Sequence, residues 1–347
     1  MAQNEAVLQQ IATSNAEFSR KFYKVLQAHE GNLVASPLSA QLVLVLAQLG
    51  ARGRTAEQMK IGLALPEDVE TVKTGFHELM KSLTGCEKVI LEIANRMYVK
   101  TGFGIEADFV AAAEKTFNST VESVDFVDPA VRTQINKWGP WLHPFNPKHT
   151  RPQPFYTDET NSVEVPFMYK KAYFGYASVE SLDAEIVELP YEGNQLSLVI
   201  VLPKSRTGLA ALETKMQDQN LSDLLKNTHS RELELFLPKF KLEVSIKLND
   251  YLKQMGMTDM FGDSADFSGI SPVHLQVSHV LQKAFIEVSE EGTEAAAATG
   301  VFIRARMLPM DPPPVVQIDR SFFFFLLQRK PALTVLFNGR LHNPLQS

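Results

Sequence analysis

Helical and strand patterns are segregated along this 347-residue chain, helices dominating up to Trp138 and strands from Ser162 onward. Alternating helices and strands would build a parallel α/β sheet, whereas a run of one followed by a run of the other builds an α+β domain. Ile11 to Gln27 places Phe18, Phe22, Val25 and Leu26 near helical spacing. Ser39 to Leu49 reads as an apolar helix ended by Gly50, and Thr55 reads as the cap of the next helix. Leu91 to Val99 alternates as a strand does, and Phe109 to Phe117 returns to helix. Ala130 to Trp138 carries Val131, Ile135 and Trp138 at helical spacing before Gly139-Pro140 stops it. Later, Ala184 to Leu189, Leu196 to Leu202, Glu232 to Phe236 and Phe322 to Leu327 read as strands, the last apolar enough for burial on both faces. Two more helices are expected at Leu209 to Leu225 and Ile246 to Met255. The expected fold is therefore α+β, with N-terminal helices and large, mostly antiparallel sheets.

Composition narrows the function classes. The chain is 45% hydrophobic and 21% charged, with no Pro/Gly/Ser-rich linker, so one domain over residues 1–347 is expected. A net charge of -6 and the lack of a basic stripe argue against a nucleic-acid partner. The longest apolar runs, Leu42 to Ala47 and Phe322 to Leu327, fall far short of the roughly 20 residues a membrane helix needs, so no membrane partner is expected. The lone Cys86 excludes an intramolecular disulfide and a cysteine-cluster zinc site. No HExxH, CxxC, GxGxxG, Walker or GxSxG signature is present, and the eight histidines have no ligands at metal spacing. Neither enzyme activity, a cofactor nor a metal is expected. Met1 to Gln10 is polar and lacks the apolar core of a signal peptide, which leaves an intracellular protein or a mature secreted chain. Asn118 and Asn220 each head a glycosylation sequon.

The distinctive stretch is Glu290-Glu291-Gly292-Thr293-Glu294-Ala295-Ala296-Ala297-Ala298-Thr299-Gly300, followed by Val301 to Met307. With period two, Thr293, Ala295, Ala297, Thr299, Val301, Ile303 and Ala305 share an uncharged face, while Glu294, Phe302 and Arg304 take the other. A segment placed between strands, where an exposed loop is expected, thus carries the pattern of a half-buried strand. No proline interrupts Gly292 to Leu308, so no ladder donor is lost if the segment inserts into a sheet. The bland alternative is a helix-favouring alanine run in a surface loop, with Arg306 an ordinary tryptic nick site.

With these residues in view, the sequence resembles the serpin family of serine protease inhibitors over nearly its whole length. Asn32 to Ser39 with Leu49 to Thr55 is similar to the family's helix beneath the main sheet, and Ser36, Ser39 and Gln282 fall in its sheet-opening region. Val187 to Tyr191, Leu237 to Lys241, Ala265 to Ile270 and Phe337 to Arg340 match further family motifs in order. The resemblance implies a serpin fold with an exposed reactive loop near the C-terminus, about residues 290–314, and a hinge from Glu290 to Thr299. It puts the scissile bond at Arg306-Met307, with Arg304 as runner-up. It also implies a suicide-substrate mechanism, in which a trypsin-like serine protease acylates itself on Arg306 and the freed loop inserts as a strand before water can hydrolyse the ester. The carboxylate of such a protease's pocket pairs with a guanidinium. A monomer outside the cell is the expected state.

Two departures qualify the resemblance. After Ile135 to Trp138 the family continues its helix and then runs a central strand of the main sheet, whereas here Gly139-Pro140-Trp141-Leu142 follows at once. About thirty residues are missing, a few helical turns plus a strand of ~10 residues. That strand is one of the two between which the loop inserts, so a non-inhibitory or inactive serpin-fold protein, a carrier or interaction module, is the competing expectation. The second departure is Gln282, where many serpins have a histidine.

Overall fold

The computed structural model describes residues 2–84, 96–100, 106–107, 109–111, 120–124, 139–293 and 312–346. Four helices lead: α1 (Ala2–Leu26), α2 (Pro37–Gly50), α3 (Gly53–Gly62) and α4 (Val69–Thr84), with the short strand β1 (Leu33–Ala35) between the first two. In α1, Leu8, Ile11, Phe18, Phe22 and Leu26 recur at three- and four-residue steps or their sums and are buried. Phe18 and Phe22 stack at 5.3 Å. The helix begins nine residues before the expected Ile11, because Ala2 to Gln10 are good helix formers and Leu8 extends the buried stripe. At α2, Ser36 is the N-cap, its hydroxyl accepting from the Ser39 N–H at 3.2 Å, and Pro37 sits where its missing N–H costs nothing.

Strands β2 (Arg96–Lys100) and β3 (Thr120–Val124) pair in parallel, and β4 (Gly139–Pro140) follows. Next come β5 (Arg151–Tyr156), β6 (Ser162–Val179), β7 (Ala184–Pro190), β8 (Leu196–Pro203), β9 (His229–Pro238), β10 (Phe240–Lys247), β11 (Leu281–Val288) and β12 (Gly292–Thr293). The chain ends with β13 (Val315–Gln317), β14 (Phe322–Gln328) and β15 (Thr334–Leu341). One sheet orders them β1-β15-β14-β8-β7-β6-β9-β13, with β5 also on β6, and every pair is antiparallel except β13 with β9. Every residue of β8, β14 and β15 is buried, so these apolar runs form the centre of the molecule, as read for Phe322 to Leu327. Gly339 is required there: a Cβ on it would sit 2.1 Å from the Leu33 carbonyl oxygen of β1. The remaining pairs are the ribbons β10-β11 and β12-β4.

Three expectations need correction. Thr55 is not a cap but lies inside α3, where its buried hydroxyl accepts the Asp266 N–H at 3.0 Å. The helix expected at Leu209 to Leu225 is two, Leu209–Met216 and Leu221–Lys226. Asn220 breaks it and caps the second helix, accepting from the N–H groups of Ser222 and Asp223. The cap uses Oδ1, leaving Nδ2, the atom a glycan would occupy, outside it. Ile246 and Lys247 end strand β10 rather than opening a helix. Phe240 to Lys247 alternates buried and exposed without a break, and the helix begins at Asn249.

Candidate functional site

The fold brings the start of the expected hinge against the segment from Gly139 to Phe145. Strand β11 does not run straight on from Val288. Its chain turns, the Ser289 N–H bonding to the Gly292 carbonyl at 3.2 Å and the Gly292 N–H returning to the Ser289 carbonyl at 3.3 Å. Gly292 has φ +119, a conformation that side-chain-bearing residues rarely adopt, so glycine permits this turn. Beyond it, Gly292 and Thr293 pair antiparallel with Pro140 and Gly139.

The corner of the turn is clamped. The Trp141 N–H donates to the Glu291 carbonyl at 3.1 Å and the Phe145 N–H to the Glu290 carbonyl at 2.8 Å. The Trp141 indole Nε1 donates to the Ser289 carbonyl at 2.9 Å. Trp141 is buried and stacks on the fully buried Tyr191 at 4.4 Å. The clamp is itself tied to the main sheet, Leu142 N–H donating to the Pro190 carbonyl and Glu192 N–H to the Pro140 carbonyl, both at 2.9 Å.

Glu290 locks the corner electrostatically. Its carboxylate accepts from the Thr150 hydroxyl at 2.8 Å and pairs with the Lys239 ammonium at 2.7 Å, with its side chain 11% exposed. Burial opposes its ionisation, but the hydrogen bonds from Lys239, the backbone and Thr150 outweigh it and hold the carboxyl below its ordinary value. Lys239 enters from the junction of β9 and β10, so breaking this pair uncouples the hinge from that ribbon's first strand.

At its other end β11 is held by Gln282. The side-chain amide meets the backbone of one residue twice: Nε2 donates to the Ser36 carbonyl at 2.7 Å, and Oε1 accepts the Ser36 N–H at 3.1 Å. Ser36 in turn donates its hydroxyl to the Leu336 carbonyl at 2.8 Å, while Ser39 joins through its N–H. The expected sheet-opening residues are thus in contact, and glutamine supplies one donor and one acceptor to the Ser36 backbone.

Of the expected site residues, Glu290, Gly292, Ser36, Ser39 and Gln282 are placed as above, and the Thr293 backbone is in β12. Glu294, Ala295, Ala296, Ala297, Ala298, Thr299, Arg304, Arg306, Met307 and Asn118 lie outside the described residues. Lys239, Thr150, Trp141 and Phe145 were not expected in the site. Their signal was weak: Lys239 and Trp141 stood only inside longer motifs, and Thr150 is 140 residues from its partner. Among the described residues, no group of three or more His, Cys, Asp or Glu could hold a metal ion. None of the helices there is long and apolar enough to cross a membrane.

The sequence profile of the family described as Serpin (serine protease inhibitor) matches residues 13–140 and 139–344. The chain belongs to the serpin family. The two matched stretches meet at Gly139-Pro140, where the sequence departs from the family pattern. Leukocyte elastase inhibitor of Sus scrofa is 32% identical over 383 aligned positions, covering 97% of this chain and all of that protein. An alignment of that length exceeds the 347 residues here, so the relative has positions that this serpin lacks. The crystal structure of Serpin48 from the insect Tenebrio molitor superposes with a TM-score of 0.85 at 33% identity, covering 96% of this chain and 98% of its own. Human thyroxine-binding globulin shares the fold, with a TM-score of 0.86 at 24% identity over 97% of this chain and 99% of its own. Serpins are mostly protease inhibitors rather than enzymes.

Proposed function

We propose that this serpin inhibits trypsin-like serine proteases outside the cell by suicide trapping, with Arg306-Met307 as the reactive bond. The observation that carries the proposal is the clamped turn at Glu290 to Gly292, because it is a releasable constraint at the base of a segment with strand patterning. While the clamp holds, the chain turns out of β11 at Ser289 to Gly292. Once the serine of a protease has attacked the Arg306 carbonyl and the Met307 amine has departed, nothing ties the new C-terminus to β13. The clamp releases, and Thr293 to Ala305 lies down antiparallel beside β11 as a new strand, its uncharged face inward. The protease, still esterified to Arg306, is carried along.

A second reading, a serpin that is cut without trapping, is favoured by one observation. Along β11, the only strand paired among the described residues is β10, and the family match breaks where the other neighbour belongs. Incubation with trypsin followed by a denaturing gel separates the two. A stable band at the summed mass supports trapping, and cleaved serpin alone, nicked after Arg306, supports the second reading.

A further inference from the structure

The ladder between β10 and β11 ends at the pair Lys247-Leu281. Beyond it, the chain that enters β11 is fastened by a side chain instead. Asn249 opens the helix Asn249–Gln254 and is 8% exposed. Its Oδ1 accepts the Val280 N–H at 3.0 Å, and its Nδ2 donates to the Ser278 carbonyl at 2.9 Å. The Leu248 N–H adds a bond to the Val280 carbonyl at 2.8 Å. The amide thus stands in for a strand residue and continues the β10 side of the ladder over Val280 and Ser278. Between these two lies His279. Backbone groups alternate in direction along an antiparallel strand, so with Ser278 and Val280 bonded on the β10 side, the His279 N–H and carbonyl point to the opposite side. Ser289, on the same alternation, turns its own N–H and carbonyl to that side when it exchanges bonds with Gly292.

The turn decides which loop residue arrives at His279. Ser289 and Gly292 pair across the two residues Glu290-Glu291, and turn length fixes the register of a hairpin. Each step back along β11 is then matched by one step forward along the loop, so that Glu287 meets Glu294, Leu281 meets Gly300 and His279 meets Phe302. Gly300 therefore lies opposite the last residue of the β10-β11 ladder, and Val301 to Ala305 reach past it. Five residues at about 3.4 Å each span roughly 17 Å, the last part of the protease's travel. The structure assigns Asn249 a positioning role in trapping: by holding Ser278 and Val280 it presents the His279 backbone to Phe302 and lengthens the template on which the loop seats. This rests on the reading of Thr293 to Ala305 as an inserting strand.

The test follows amide hydrogen exchange, residue by residue, in the full chain after trypsin has cut its loop, purified away from any covalent complex. The bonds to the β11 side come from the amides of Glu294, Ala296, Ala298, Gly300 and Phe302, so the readout needs no neighbour on the loop's other side. In the wild-type serpin all of these are expected to slow at least tenfold relative to the uncut chain. In cut Asn249→Ala, Phe302 and His279 are expected to exchange at least tenfold faster than in the cut wild type while Ala298 and Gly300 keep their protection, a pattern that general destabilisation does not give. Asn249→Asp keeps the acceptor for Val280 but not the donor for Ser278; it is expected to release Phe302 as well, and it decides the matter if the alanine variant does not fold. Protection at Phe302 that survives the substitution overturns the positioning role while insertion stands, as does wild-type protection that stops at Gly300. Equal loss along the whole loop assigns Asn249 to stability alone and also overturns the role. No slowing at any loop amide of the wild type overturns insertion itself, and the role of Asn249 with it.

Discussion

Gln282→Leu isolates the latch between β11 and the start of α2. Leucine has a similar length but neither donor nor acceptor, so both hydrogen bonds to Ser36 disappear. The two peptide groups do not suffer equally. The Ser36 carbonyl still accepts the Ala40 N–H at 3.1 Å, whereas the Ser36 N–H loses the partner that Gln282 supplies. Ser36 is 5% exposed and Gln282 8%, so water replaces that partner poorly. An orphaned buried donor costs about 1–3 kcal/mol and the lost bond to the carbonyl about 1 kcal/mol, partly offset by the added apolar burial of leucine, for a net loss of about 2 kcal/mol. That corresponds to a roughly thirtyfold rise in the fraction of molecules with β11 released from Ser36. Amide hydrogen exchange is the direct assay: exchange at Ser36 and along β11 is expected to accelerate by about that factor, with β14 unchanged. Gln282→His, which retains a donor and an acceptor, is expected to restore most of the protection. Unchanged exchange at Ser36 in the leucine variant would refute the latch.

Glu290→Gln keeps the bond from Thr150 but removes the charge facing Lys239, and is expected to cost about 1–2 kcal/mol at neutral pH, discounted because Lys239 is 37% exposed. The folded carboxyl is held below its ordinary 4.5, so its stabilisation is present above that value and fades as pH falls through the folded one; the variant's unfolding curve is expected to be flatter there, and an identical pH profile would count against the clamp. Gly339→Ala forces a Cβ against the Leu33 backbone and is expected to cost about 3 kcal/mol, while Gly262→Ala, with nothing within 4 Å, is expected to be near neutral; equal melting temperatures for the two would refute the close approach. Thr293→Arg places a charge on the inward face of the inserting strand, and is expected to abolish the trypsin complex on a gel while leaving cleavage after Arg306 intact; undiminished complex would sink the insertion mechanism.

What was legible in the sequence was legible for local reasons. Four consecutive phenylalanines in β14, the apolar run of α2 ended at Gly50 and the strand pattern of Ala184 to Leu189 each carry their structure within a few residues, although α2 begins at Pro37, two residues before the expected Ser39. What was misread depended on partners far along the chain. Thr55 has the chemistry of a cap, but Asp266 takes its hydroxyl from 211 residues away. Glu290 was expected in a hinge because of the family resemblance, yet nothing local indicated Lys239, Thr150 or Trp141. Gln282 stood out as a departure, and only the geometry explains why an amide serves there: the Ser36 backbone takes one donor and one acceptor from it.

Whether the inserted loop has a neighbour on its second side bears on function through the same bonds. Opening the hinge breaks five contacts: two backbone bonds from Trp141 and Phe145, the indole bond to Ser289, and the two partners of Glu290. At about 1 kcal/mol each, and more for the charged pair, the clamp resists opening by roughly 5–7 kcal/mol. A strand from Thr293 to Ala305 makes about six ladder bonds to each neighbour, or roughly 6 kcal/mol per side on the same scale. Flanked on both sides, insertion outweighs the clamp by a wide margin before any apolar burial is counted. Flanked by β11 alone, the ladder only balances it. The small side chains of Thr293, Ala295, Ala297 and Thr299 add little burial with which to tip that balance. A covalent trypsin complex therefore requires a second neighbour beside the inserted loop, and clean cleavage without complex is the outcome that its absence dictates.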